Sequence, residues 1–540
     1  MIKKQINLDI SSYKTKNKIE ELDCGWFDLS SIKNFRDQLC KDLIPIIKIN
    51  ETSQNVKVPN VNLSINIFFK WFSVSLIDLF TALKIKNYFR NQEVLIPNKF
   101  KFLNEIYNDR VPKTTFQNLK NPYLKQGNIE KLLKNFIRTL QINSLKDFFN
   151  FNKTSKSILY TNFLKKNLRK NGELNIYNDL SYYFTKTKGD EFLFFNEQNN
   201  SLSPKNHKQY IEIKEKIILL FDRLELKLSK NNIQFIQNLI YHSFLFLKYN
   251  WIEKKIPKLL HVGTAGSLPW GKLLCALVIL KGGKVVNYEH GRGSILHFFI
   301  QKFFTDFNFS SEFVNINYMH KEMNKKRYDT FKELYLLHNF DVKISFPQKK
   351  IQNPFEMKKQ TFEKIEKKDL KALYVMGPYL GYSSAFRPFL PDIHYLKFQT
   401  KIFDLLNTNK IDFFLKPHPG TKSMIPQGIV NEYKLNIFTK KYEKVVQGLD
   451  FDFFILDHIA STTAPHIINF SKPSVYFDFN FTEINDLLRK DLEESLKIIP
   501  VEQNKNGEFY FDSILFKNFL DNIKSNNHIN WHRNILKYYD

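Results

Sequence analysis

Two prolines bracket a histidine in residues 413–420, FFLKPHPG, and a lysine stands two positions before that histidine. A residue that precedes proline is pushed out of the helical region, so Lys416 and His418 are both expected in extended backbone. Residues two apart in an extended chain face the same way, which sets an ammonium beside an imidazole. A stiffly held pair of cationic donors suits a phosphate, because little conformational freedom is lost when the anion binds. A structural turn with a solvated lysine and a partner-bonded histidine uses the same residues, and the segment alone leaves both readings open.

A second run that suits an anion begins at residue 452, DFFILDHIASTTAPHIINF. A buried-type strand ends at Asp457, Ser461, Thr462 and Thr463 occupy the loop beyond it, and Pro465 falls where a helix would start. Hydroxyls and free backbone N–H groups at a helix start form an anion site. Ordinary N-capping by serine or threonine accounts for them too. Placement one βα unit after the Lys-Pro-His-Pro segment favours the anion reading.

The third element, NYEHGRGSILHFF, starts at residue 287. Glu289 and His290 end a strand there, while Gly291 and Gly293 let the backbone turn tightly or approach a ligand. Imidazole titrates nearest neutrality, so His290 is a candidate base, and Glu289 either orients it or serves as base itself. Arg292 adds a fork for a phosphate or carboxylate.

Other runs are weaker. The loop GTAGS (263–267) lacks both the dinucleotide spacing and a Walker lysine, and reads first as a tight turn, then as an acceptor contact. DFD (450–452) introduces a strand, and the 13 histidines show no HExxH spacing, so no metal ligands are expected.

The elements that must position these residues follow from periodicity. Before residue 250 the pattern is irregular, with helix-like stretches over 128–149 and 231–249. From KLLHVG (258–263) onward short apolar runs alternate with helices: Ser267 caps, Pro269 opens and Gly282 ends the first of them, and KVVNYEHG resumes as a strand. A charged stretch over 347–371 reads as a linker, and strands at ALYVMG, DFFLKP, DFFILD and PSVYFDF make a second α/β unit. The expected division is a mostly helical region 1–250 that belongs with or beside an acceptor domain 251–346, then the linker 347–371 and a donor domain 372–540. In open α/β sheets ligands bind at the carboxyl ends of the strands, where all three candidate elements stand.

Composition sets the outer bounds. A chain of 540 residues, 43% hydrophobic, has room for two to four domains. Its opening, MIKKQINLDISSYK, has no apolar core of a secretory signal, and its 3 cysteines fit no disulfide framework, so a cytoplasmic protein is expected. The most apolar window, 65–83, contains Lys70 and Asp78 and is expected to be buried or interfacial rather than to span a bilayer. The net charge of +27 is spread along the chain and matches the bias of an AT-rich coding sequence. It favours contact with anionic substrates or an anionic inner-membrane surface, whereas no nucleic-acid module is visible.

Together, EHG in a first α/β half and KPHP followed by DHIASTT in a second resemble GT-B-fold transferases of bacterial surface and capsular polysaccharides. The set is similar to capsule Kdo-transferases, bacterial sialyltransferases and CDP-glycerol glycerophosphotransferases, over roughly residues 255–500. That resemblance implies two Rossmann-like domains and a glycosyltransferase that needs neither metal nor cofactor. The implied donor is a nucleotide-activated sugar, CMP- or CDP-linked, and the acceptor a polysaccharide or glycolipid. It implies that Lys416 and His418 hold the donor phosphate, that Ser461 and Thr462 complete the clamp, and that His290 acts as base. Glu289 lies one residue too early for the carboxylate of the sialyltransferase pattern. Rival expectations are a polyol phosphotransferase, a nucleotide-sugar epimerase of the same fold, a noncatalytic relative and, last, a basic binding protein.

Overall fold

The computed structural model describes residues 5–48, 58–96, 98–118, 156–159, 176–177, 202–251, 256–262, 269–289, 297–298, 304, 307–315, 318–334, 341–346, 370–382, 390–418, 424–439, 445, 450–459, 464, 467, 472–480, 483–484 and 486–525. The helix expected over 128–149 and most of the linker lie outside them.

Among the helices of the first 250 residues are α1 (Leu29–Ile47), α2 (Val61–Ile67), α3 (Phe69–Tyr88), α4 (Pro204–Arg223) and α5 (Lys230–Tyr249). Local chemistry explains their starts. Asp28 accepts from the backbone of Ser30 and Ser31, and Ser203 caps α4 with Pro204 directly after it. Aromatic rings bind the helices together, with Phe35 stacked on Phe80 at 4.4 Å and edge-on to Phe221 at 5.2 Å. The apolar window 65–83 falls on α2 and α3, which are bent by 85° at their junction and bury most of their apolar side chains. No single helix among the described residues is long and apolar enough to cross a membrane; this bent pair meets that test only as a pair.

The first sheet contains β1 (Lys156–Leu159), β2 (Ile176–Tyr177), β3 (Leu259–Val262), β4 (Lys284–Tyr288), β5 (Glu312–Val314) and β6 (Lys343–Ser345). Their spatial order is β2-β1-β3-β4-β5-β6, every pairing parallel. Two of these strands therefore come from within the first 250 residues, which supply sheet as well as helix. Between β3 and β4 runs α6 (Pro269–Leu280), buried along its whole length. It stops where expected: Gly282 takes a left-handed φ of 76°, and the Gly282 and Gly283 N–H groups return to Ile279 and Val278. Helix α7 (Tyr318–Phe331) follows β5.

The second sheet contains β7 (Lys371–Val375), β8 (Asp412–Lys416), β9 (Asn436–Ile437), β10 (Phe453–Leu456), β11 (Ser474–Asp478), β12 (Lys497–Gln503) and β13 (Phe509–Phe511). Its order is β9-β8-β7-β10-β11-β12-β13, parallel except for the final hairpin of β12 and β13. The chain starts in the middle at β7, builds outward to β9, then returns to the other flank of β7 with β10. The reversal lies between β7 and β10. Both are buried nearly throughout, as interior parallel strands are. Helix α8 (Asp392–Thr408) leads from β7 to β8, and α9 (Ser513–Lys524) closes the described chain.

Residues 8–29 pack on this second half, although they precede the whole helical region. Lys397 of α8 donates to the carbonyls of Glu20 and Leu22, each at 3.0 Å, and pairs with Glu508. His394 Nε2 meets the Cys24 carbonyl at 2.9 Å, Gln503 donates to the Phe27 carbonyl at 2.7 Å, and Lys16 pairs with Asp404 at 2.7 Å. A Cβ at Gly428 or Gly507 would stand 2.0 Å from a carbonyl oxygen of this strap, at Lys14 and Cys24 respectively. The strap thus lies where only glycine lets the backbones approach.

Candidate functional site

Register fixes the geometry at the carboxyl end of the second sheet. Val375 pairs with Lys416 on one side and with Leu456 on the other. The residues that come next, Met376-Gly377, Pro417-His418 and Asp457-His458, consequently leave the sheet at one level. They straddle the strand at which the sheet order reverses. A crevice outside strand ends opens at such a reversal.

Asp457 is the hub of that end. Its carboxylate is buried and accepts from the Gly377 N–H at 2.7 Å and from the hydroxyls of Tyr374 and Tyr395. Burial pushes its pKa up to about 6, and the bonds from Tyr374, Tyr395 and Gly377 hold it from rising further. The same carboxylate, with burial acting first, raises Tyr374 and Tyr395 well above the usual phenol value. Hydroxyls that stay protonated are reliable donors, so the carboxylate clamps the turn after β7 to the end of β10.

Two imidazoles stand at this end of the sheet. The rings of His418 and His458 stand nearly perpendicular, at an interplanar angle of 80°, with centroids 6.3 Å apart. Just past the strand between theirs, a Cβ at Gly377 would lie 3.2 Å from His458 Cβ, 3.2 Å from the Tyr395 hydroxyl and 3.4 Å from Asp457 Oδ1. A side chain there would push His458 or loosen the hub. Lys416 is mostly buried, and its ammonium donates to the Pro417 carbonyl at 3.1 Å. This places its charge at the sheet end and steadies the turn that carries His418.

In the first half, Glu289 directly follows β4 and is turned inward. Its buried carboxylate accepts from His320 Nδ1 at 2.7 Å and Asn324 Nδ2 at 3.4 Å, both on α7. Asn324 continues the network to Asn315 and Arg327, all buried. A carboxylate so enclosed serves to fix the end of β4 to α7. The next residue, His290, lies outside the described residues, as do Arg292, the loop 263–267 and the Ser461–Thr462–Thr463 run.

The two halves meet at these strand ends. Met323 of α7 joins an apolar cluster with Leu456, Ile459, Ala464 and Ile467, and Met319 packs against it. Residues 297–298 pair antiparallel with 483–484, linking the segment after β4 to the segment after β11. The acids of the DFD run do separate structural work: Asp452 accepts from the Lys371 N–H at 2.7 Å, and Asp450 pairs with Lys472.

Sequence reasoning singled out Lys416, His418 and the end of β10, and the structure brings Lys416, His418 and Asp457 to one sheet end. It missed His458, Gly377, the tyrosine pair and His320. The available signal for His458 was the shared position of HP and DH, each just past a buried strand. The chain matches no protein-family model and no curated protein.

Proposed function

We propose that this chain is a GT-B-type transferase in which the two sheets are Rossmann-like halves, the second of them holding a nucleotide-activated donor. The reaction moves a sugar from that donor to a surface polysaccharide or glycolipid acceptor. The observation that carries the reading is the convergence of Lys416, Gly377, His418 and His458 at the carboxyl ends of three adjacent strands, around the order reversal.

In this mechanism the donor phosphate lies at the end of β7, where Lys416 and His418 supply positive charge. The acceptor hydroxyl oxygen attacks the anomeric carbon, the carbon–oxygen bond to the phosphate breaks, and its electron pair leaves with the nucleotide. Fixed cationic donors favour that leaving group because its charge grows in the transition state. His290 takes the acceptor proton, with the backbone behind it anchored through Glu289, His320 and Asn324. Ser461, Thr462, Thr463 and Arg292 contribute further phosphate donors in the same reading.

Thermal-shift titration of the full chain with CMP, CDP, UDP and GDP tests it. One nucleotide at about 100 times its Kd stabilises the folded state by about 2.7 kcal/mol, a readable shift. His418→Ala is expected to abolish that shift while the variant melts as the parent does without ligand. Absence of a shift with all four nucleotides at millimolar concentration would overturn the donor reading. Phosphorus in the acceptor product would replace sugar transfer by polyol-phosphate transfer.

A further inference from the structure

We propose that His458 is a second phosphate-binding residue, which closes with His418 on one phosphate group at the end of β7; this rests on the donor reading above. Three observations converge on it. The two rings stand nearly perpendicular just past the ends of β8 and β10, the strands on either side of β7, with centroids 6.3 Å apart, too far to bond to one another. Two N–H···O bonds of about 2.8 Å to one bridging anion span a gap on that scale. Gly377, just past the end of β7 between those two strands, leaves His458 its place, since a Cβ there would stand 3.2 Å from His458 Cβ.

Both histidines are also held stiffly. His418 precedes Pro419, which restricts its backbone to the extended region. His458 follows Asp457, whose carboxylate is bound by Tyr374, Tyr395 and the Gly377 N–H. One carboxylate therefore ties Gly377 to the residue that carries His458, so Asp457 is a positioning residue for His458. Imidazole donates to a phosphate oxygen from a protonated ring nitrogen. The chemistry recognised is a phosphate or diphosphate, as on a nucleoside monophosphate or diphosphate.

Isothermal titration of the full chain with CMP, CDP, UDP, GDP and, separately, inorganic pyrophosphate tests the assignment in His458→Ala, His458→Gln and His207→Ala. His207 lies on α4, so its variant is the control for loss of an unrelated imidazole. The expected result is a fall in nucleotide affinity of about tenfold or more in His458→Ala, a smaller fall in His458→Gln, which keeps one donor, and none in His207→Ala. The parent nucleoside, which has no phosphate, should bind the His458 variants as it binds the wild type. Undiminished nucleotide affinity in a folded His458→Ala overturns the proposal and leaves the donor reading standing. If the wild type binds pyrophosphate but no nucleotide, and His458→Ala loses it, the clamp stands and the nucleotide reading falls. If the wild type binds neither, both fall.

Discussion

Glu289 carries the argument at the scale of the residue, because its position after β4 fits a catalytic base while its surroundings do not. Its side chain and that of His320 have no exposed surface, and Asn324 completes the bond set. Removing a buried acceptor strands the donors bonded to it, at about 1–3 kcal/mol for each. Glu289→Ala is therefore expected to unfold in urea with a stability loss of that size. Glu289→Gln retains an acceptor for His320 at similar volume and should lose only about 1–2 kcal/mol. Turnover measured on the glutamine variant separates the roles. If Glu289 anchors β4 to α7, transfer survives in Glu289→Gln to within roughly tenfold; a base would be silenced by the same change with stability intact.

Helix α8 shows how an element acquires a function its own sequence does not announce. It packs on the second sheet, yet its other face grips residues 20–24 through His394 and Lys397. Burial holds His394 down to about 4, below the usual imidazole value, with the bond to the Cys24 carbonyl acting against that shift. A base whose folded value is depressed contributes stability above its unfolded value, near 6.5, and loses it as pH falls towards 4. Acidification from pH 7 to 4.5 is therefore expected to speed amide exchange in residues 8–29, after correction for intrinsic rates, with His394→Gln flattening that dependence. Asp457 has the opposite slope over an overlapping window, because its raised value favours the protonated folded state at lower pH. A global melting curve would thus mask the strap, which is why a local probe is needed. The contrast also marks what the sequence could tell. Strands such as FFIL and KALYV, and the helix that begins at Pro269 and ends before Gly282, were legible because apolar runs and breaker residues are local signals. β1 and β2 were not, being short strands of 4 and 2 residues whose membership in a sheet is settled by partners far along the chain. His458 and the grip of α8 on the strap were hidden for the same reason, since each depends on which strands or segments become neighbours.

For the molecule as a whole, the expected consequence is that the two halves stay together when the chain between them is cut. The second half takes a buried segment from the start of the chain: Cys24, Trp26 and Phe27 are buried there, with Trp26 and Phe27 against His394 at ring distances of 4.7 and 4.8 Å. The first half in turn contributes Met323 to the apolar cluster of the second, and the pairing of 297–298 with 483–484 crosses between them. A protease site placed within residues 347–369 tests this interlock. The nicked protein is expected to elute as a single species of unchanged size in native chromatography, and to separate into two fragments only in denaturant. The segment 370–540 expressed alone lacks the strap, so it exposes the face of α8 that holds His394 and Lys397 and should aggregate; fusing residues 5–30 to it through a flexible linker should restore solubility. Dissociation of the nicked chain under native conditions would mean that the strap and the cross-half strand pair add little to the association. The donor site would then have to close by free movement of the halves, whereas an interlocked chain confines closure to small displacements around contacts already made.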